Sequence, residues 1–207
     1  MTPLCLKTYP PLPLNRKEIL RYAGARTSTP ETDALLASCL DELADGLSYG
    51  LCYREFPIAL QNGTLDLTFA RTDSVDLQKT LDGCDSIILF AATVGHDIDR
   101  KIAKYSRLSP AKALLFQSIG AAAIEALCDR FNLDMKEEKA KLQRALTPRF
   151  SPGYGDLPLA LQKDIFAALD CGRKIGLTLT DSLLISPTKS VTAIIGIKKA
   201  DSKGLLL

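Results

Sequence analysis

The sequence predicts an α+β fold: a twisted, largely antiparallel sheet flanked by helices. Three observations carry this. Residues 86–93 read SIILFAAT, apolar throughout and β-branched at the start, as in a central strand buried on both faces. Asn62-Gly63 lies between two short alternating segments, the strongest short-range hairpin signal and a mark of antiparallel pairing. Ser109-Pro110 opens the longest helical stretch, 110–131. At 207 residues the chain is long enough for one sizeable core and short of two full domains.

Each element follows in order. Residues 1–14 form an extended arm, because Pro3, Pro10, Pro11 and Pro13 forbid helix. Asn15 caps a short helix over 16–23 that Gly24 closes. A second helix starts at Pro30 behind Thr29 and runs to about Ala44. Leu35, Leu36, Cys39, Leu40 and Leu43 recur there at helical spacing, and Gly46 ends it. A strand over 49–56 alternates loosely. Segments 58–61 and 64–69 form the hairpin, with Leu65, Leu67 and Phe69 on one side and Asp66 and Thr68 on the other. A short helix over 74–81 ends at Gly83. Residues 15–84 are thus helices and hairpin of the same domain as the core at 85–198.

Within that core, Val94-Gly95 turns the central strand into a helix over 97–105. In the long helix Gly120-Ala121-Ala122-Ala123 has almost no side-chain bulk. That suits packing on the sheet or the close approach of another backbone or a ligand. A charged, exposed helix covers 135–146, a loop rich in proline and glycine covers 147–158, and a helix covers 159–172. Residues 190–198 (SVTAIIGIK) are the last strand, and 199–207 a tail.

Composition excludes several functions. Lys+Arg is 26 against Asp+Glu 24, a net charge of +2, so there is no basic excess to displace counterions and no nucleic-acid partner is expected. No apolar run approaches the roughly 20 residues that cross a bilayer, so no membrane partner is expected. The prolines of 1–14 rule out a secretion signal. A single histidine, His96, leaves no histidine-rich metal site. No two of Cys5, Cys39, Cys52, Cys84, Cys128 and Cys171 lie within about ten residues, so no CxxC motif exists. We read these cysteines as small buried hydrophobes of a reducing, cytoplasmic compartment, and expect no metal.

The segment 149–156, RFSPGYGD, has the most chemistry. Its prolines fix backbone angles, and Gly153 lets bare backbone meet a ligand. Arg149 supplies a planar fork for a carboxylate or phosphate, and Tyr154 a flat face tipped with a hydroxyl. An ordinary surface turn is the alternative. His96, at the end of the central strand, is either a reacting group or a helix-start residue in solvent.

The surrounding pattern resembles the activation region of vitamin B12-dependent methionine synthase. That family has an R-x-x-P-G-Y-x-x-x-P loop, matched by Arg149, Pro152, Gly153, Tyr154 and Pro158. It then has Leu-Thr-(Glu/Asp)-Ser, matched by Leu179-Thr180-Asp181-Ser182, and a Pro-x-x-Ser-Val turn, matched by Pro187, Ser190 and Val191. The run ending Thr93-Val94-Gly95 is similar to the family's strand ending in Thr-x-Gly, and the helix with Glu125 to its Ala-Glu-Ala helix. The likeness spans about 85–198. It departs at Gly155, where the family has proline, and at Ile194-Ile195, where it has an aromatic pair.

The resemblance implies an activation-domain fold that binds S-adenosylmethionine. It implies presentation of that donor to cobalamin carried by a methionine synthase in trans, with a flavodoxin-type electron donor. Arg149 would clamp the methionine carboxylate, and the backbone of Ser151, Pro152 and Gly153 would line the adenosine beside Ser190 and Val191. Tyr154 would stand between nucleoside and corrin, and Glu125 would face the cofactor. With Ala121, Ala122 and Cys128 one turn away, Glu125 is either an acid in small apolar surroundings that resists ionisation or a residue at the wet edge of the helix. No Asp-x-His-x-x-Gly cobalamin signature occurs, so the chain is expected to be a component of the system and not a complete methionine synthase. A non-catalytic binding module or an activator of another corrinoid methyltransferase remains the alternative. An ordinary Rossmann methyltransferase is disfavoured because no G-x-G-x-x-G occurs.

Overall fold

A computed structural model describes residues 2–25, 27–43 and 46–199. The expected helix end at Ala44 and the tail beyond Lys199 lie outside the described residues. In chain order the elements begin with strand β1 (Cys5–Tyr9), helices α1 (Arg16–Tyr22) and α2 (Pro30–Asp41), and strands β2 (Tyr49–Pro57), β3 (Ala59–Gln61), β4 (Thr64–Asp66) and β5 (Arg71–Thr72). Helix α3 (Val75–Thr80), strand β6 (Cys84–Thr93), helices α4 (Asp97–Leu108) and α5 (Pro110–Ala140) and strand β7 (Leu146–Phe150) follow. A 3-10 turn (Leu159–Leu161) leads into α6 (Gln162–Leu169), α7 (Cys171–Ile175), β8 (Thr178–Leu179), β9 (Ile185–Ser186) and β10 (Ser190–Lys198).

The main sheet has the order β1-β2-β6-β10-β7, and every neighbouring pair is antiparallel. The apolar run 86–93 becomes the central strand because both of its faces are covered. Ile88, Phe90 and Ala92 enter one core with residues of α1, α2, α4 and α5. Ile87, Leu89 and Ala91 enter a second core beneath α3, α6, α7 and the hairpin. Strand β10 divides in the same way, Ile195 to the first core and Ile194 to the second. This is the mixed, helix-flanked antiparallel fold that the sequence predicts.

Local signals hold where a side chain or backbone angle enforces them. Asn15 caps α1 by accepting from the Lys17 N–H at 2.9 Å, and Thr29 caps α2 by accepting from Thr32 at 3.3 Å. Asn62 and Gly63 adopt φ of 51° and 82°, the left-handed pair that a tight hairpin needs.

Four expectations need correction. Part of the arm joins the sheet: Cys5–Tyr9 contains no proline and pairs with β2 at one edge. The expected helices 110–131 and 135–146 are one helix, α5. Nothing between them breaks it, and Cys128, Phe131, Met135 and Lys139 continue a single buried stripe. The Lys139 ammonium reaches Glu55 of β2 at 2.6 Å. Residues 146–150 are strand, not helix or loop. Pro148 has no N–H for the ladder, and the Gly196 N–H donates instead to Thr147 Oγ1 at 2.8 Å, so the β7–β10 register slips there. Finally, the helix expected over 159–172 divides at Asp170, whose φ is 50°. Helix α5 is long and apolar enough to cross a membrane by length and composition, but 61% of its most apolar window is buried within the fold.

Candidate functional site

Strand β7 lies at the sheet edge opposite β1. Arg149 pairs with Ile195 in register, and its side chain reaches toward α5. One guanidinium nitrogen, Nη2, donates to Glu125 at 3.1 Å and to Asp129 at 3.0 Å, two acids one helical turn apart. The other, Nη1, is buried and has no partner. Cys128 lies between the two acids, almost fully buried. Burial pushes its thiol up to about 12, against the opposing pull of the Arg149 charge.

Past Phe150 the chain turns tightly. Gly153, at φ 90°, donates its N–H to Leu157 O at 2.9 Å, and Tyr154 donates to Ser151 O at 3.2 Å. Pro152 and Leu157 are buried and anchor the turn, while Tyr154 is 70% exposed. Asp156 fixes the turn from outside. Its carboxylate accepts from the Ser74 hydroxyl and from the Val75 and Asp76 N–H groups at 2.7 and 3.2 Å. It therefore caps α3, and these bonds, Ser74 first, hold it below the usual carboxylate range. On the opposite wall, Ser190 donates to Thr93 Oγ1 at 2.8 Å, fastening the start of β10 to the end of β6. Thr188 donates to Asp99 of α4 through its N–H at 2.7 Å.

Together these parts enclose a cavity of about 470 Å³. Of the residues singled out in the sequence, Glu125, Arg149, Ser151, Pro152, Tyr154, Ser190 and Val191 line it, and Gly153 does not. Gly153 shapes the turn instead: a side chain there would meet Leu159 Cδ1 at 3.3 Å. Of the two settings open to Glu125, the structure has the wet edge of the helix: its side chain is 48% exposed and paired with Arg149. His96 is exposed at the first turn of α4 and makes no side-chain cap. Ile194 and Ile195 are fully buried core residues.

Sequence reasoning missed Asp129, Cys128 and Gln162. Asp129 is visible in hindsight as the acid one turn beyond Glu125. Gln162 has a clearer signal: it occupies the inward stripe of α6 with Ile165 and Leu169, a polar residue in an apolar row. It is 7% exposed, lines the cavity, and its Oε1 has no partner.

The chemistry is that of a zwitterion site. One guanidinium against two carboxylates leaves one net negative charge at the wall, beside an unused donor and an unused acceptor. A ligand with a carboxylate and a surplus of positive charge complements it.

A family model described as "Vitamin B12 dependent methionine synthase, activation domain" matches residues 61–203. A solved structure of the MetH reactivation domain bound to AdoHcy is similar in fold, with a TM-score of 0.63 and 16% identity, covering 97% of this chain and 80% of that one. No curated protein matches the chain.

Proposed function

The chain belongs to the family of vitamin B12-dependent methionine synthase activation domains, and on that premise we propose that its cavity binds S-adenosylmethionine and presents it to cobalamin on a separate methionine synthase. The observation that carries this reading is Arg149: a buried guanidinium nitrogen without a partner, in a cavity assembled from the residues that the resemblance singles out. The similar solved structure is described with AdoHcy bound.

Each residue then has a physical task. Arg149 Nη1 takes the carboxylate of the donor's methionine part, while Nη2 stays held by Glu125 and Asp129, which fixes the fork. Those two acids offset the positive charges of the ammonium and the sulfonium. The turn at 151–153 supports the nucleoside, with Ser190 and Val191 as the facing wall. Tyr154, at the open rim, borders the space that a corrin would occupy. The partner's cobalamin would supply the methyl acceptor and a flavodoxin-type donor the one electron its oxidised form needs, with S-adenosylhomocysteine left in this cavity.

Calorimetric titration of S-adenosylmethionine into wild type and Arg149→Ala tests the binding. A charge-assisted hydrogen bond lost from a part-buried site predicts affinity at least about tenfold weaker. Glu125 and Asp129 are 48% and 72% exposed, so their release leaves the fold intact. Equal affinities, or none in either protein with a cobalamin partner present, refute the proposal. Methylcobalamin formation, followed by absorbance with a cobalamin-loaded synthase and a reductant, tests the transfer. Binding without product assigns a sensing module instead.

A further inference from the structure

Arg149 Nη1 is not the only unused polar atom in this cavity. Gln162 Oε1 is also buried and unpaired, and both residues line the same cavity, Arg149 from strand β7 and Gln162 from helix α6. A buried acceptor left unmade is costly, and its neighbours on the inward stripe of α6 are Ile165 and Leu169. An apolar residue would serve packing there without that cost. The carboxamide oxygen is therefore open to a donor from outside the chain. It accepts, so the partner donates an N–H or an O–H.

We infer that Gln162 sets the selectivity of the cavity by accepting a hydrogen bond from the α-ammonium of the bound amino-acid group. The inference rests on the reading that the cavity takes S-adenosylmethionine. An α-amino acid carries its nitrogen one carbon from its carboxylate. A single zwitterionic head offers an acceptor to the unused donor of Arg149 and a donor to the unused acceptor of Gln162. Glu125 and Asp129 favour the cationic nitrogen over a neutral one. The edge of adenine also carries a donor beside an acceptor, and it is the competitor that the experiment must separate.

The test is calorimetry with three probes: S-adenosylmethionine, its analogue without the α-amino group, and its analogue with inosine in place of adenosine. The proteins are wild type, Gln162→Met, Gln162→Glu and Arg149→Ala. Methionine conserves volume and removes the acceptor. In wild type, loss of the amino group should weaken binding about tenfold or more. In Gln162→Met, S-adenosylmethionine should weaken, and loss of the amino group should then cost clearly less than in wild type, the remaining penalty being the attraction of Glu125 and Asp129. The inosine penalty should be the same in both. Gln162→Glu should restore discrimination for the amino group, which a purely structural role would not do.

Wild-type affinity in Gln162→Met overturns the inference. So does a Gln162→Met protein that loses the inosine penalty and keeps the amino penalty, since Gln162 would then read adenine. In either case wild type binds and Arg149→Ala binds weakly, so the underlying reading survives. No binding by wild type, or equal binding by Arg149→Ala, refutes that reading and the inference with it.

Discussion

A methyl group added at Gly120 tests how tightly the helical layer closes behind the cavity. A Cβ built there lies 2.8 Å from Ile98 Cγ1 and 2.8 Å from Lys189 Cγ. Comfortable carbon contacts begin near about 3.5 Å. Ile98 is fully buried in the first core and cannot retreat without disturbing it. Two effects oppose each other. Alanine in a helix interior gains about 0.5–1 kcal/mol over glycine. Overpacking of a filled core costs about 1–3 kcal/mol. The cost wins, and Gly120→Ala should lose about 1–2 kcal/mol, lowering the melting temperature by roughly 2–8 °C for a chain of this length. Gly172 in α7 is the control. Its nearest neighbour to a new Cβ is Leu177 O at 3.6 Å, so Gly172→Ala should be neutral or gain up to about 1 kcal/mol. Urea unfolding followed by circular dichroism reads both. Because Lys189 directly precedes Ser190, Gly120→Ala should also weaken ligand binding, whereas Gly172→Ala should not. A rise in midpoint for Gly120→Ala, parallel to that of Gly172→Ala, refutes the close-approach argument.

Two further outcomes are expected. Asp134→Ala should destabilise the protein by about 1.5–3 kcal/mol, because the carboxylate accepts from Lys7, from Tyr9 at 2.8 Å and from Arg130 at 3.0 Å, tying β1 to α5. Burial pushes this carboxyl up, but the hydrogen bonds of Lys7 and Tyr9 outweigh it and hold the group below its ordinary range. Its contribution is present above about pH 4 and lost as pH falls through the lower folded value, so unfolding curves of wild type and variant should converge in acid. Cys128 should stay a thiol. With its folded pKa pushed up to about 12, stability should decline as pH rises above about 8.5, where the unfolded thiol ionises. Mass spectrometry should find it unalkylated by iodoacetamide in native protein at pH 8, and rapid labelling there would contradict its burial.

What could be read in the sequence was what one local cause decides. The run 86–93 could only be a doubly covered strand, and Asn62-Gly63 could only turn tightly. Asn15 and Thr29 announced their helices through a single hydroxyl or amide. The sequence was silent where the decision is made far away. The tie of α5 to the sheet edge, Asp134 meeting Lys7 and Tyr9 of β1, leaves no local trace. Strand β7 is hidden by Pro148 and exists because β10 lies beside it. The two-residue strands β5, β8 and β9 are shorter than any periodicity can show. At the site, the Arg149 turn was legible as a motif. Its distant supports, Asp129 from α5 and Ser74 from the start of α3, were not.

One of those supports has a mechanical consequence. The carboxylate of Asp156 belongs to the binding turn, yet it is also the lid on a helix some eighty positions earlier in the chain. The turn cannot swing outward without stripping α3 of the hydrogen bonds that Asp156 gives its first residues. The turn is thus braced from the hairpin side of the sheet, and a load on one part is shared by the other.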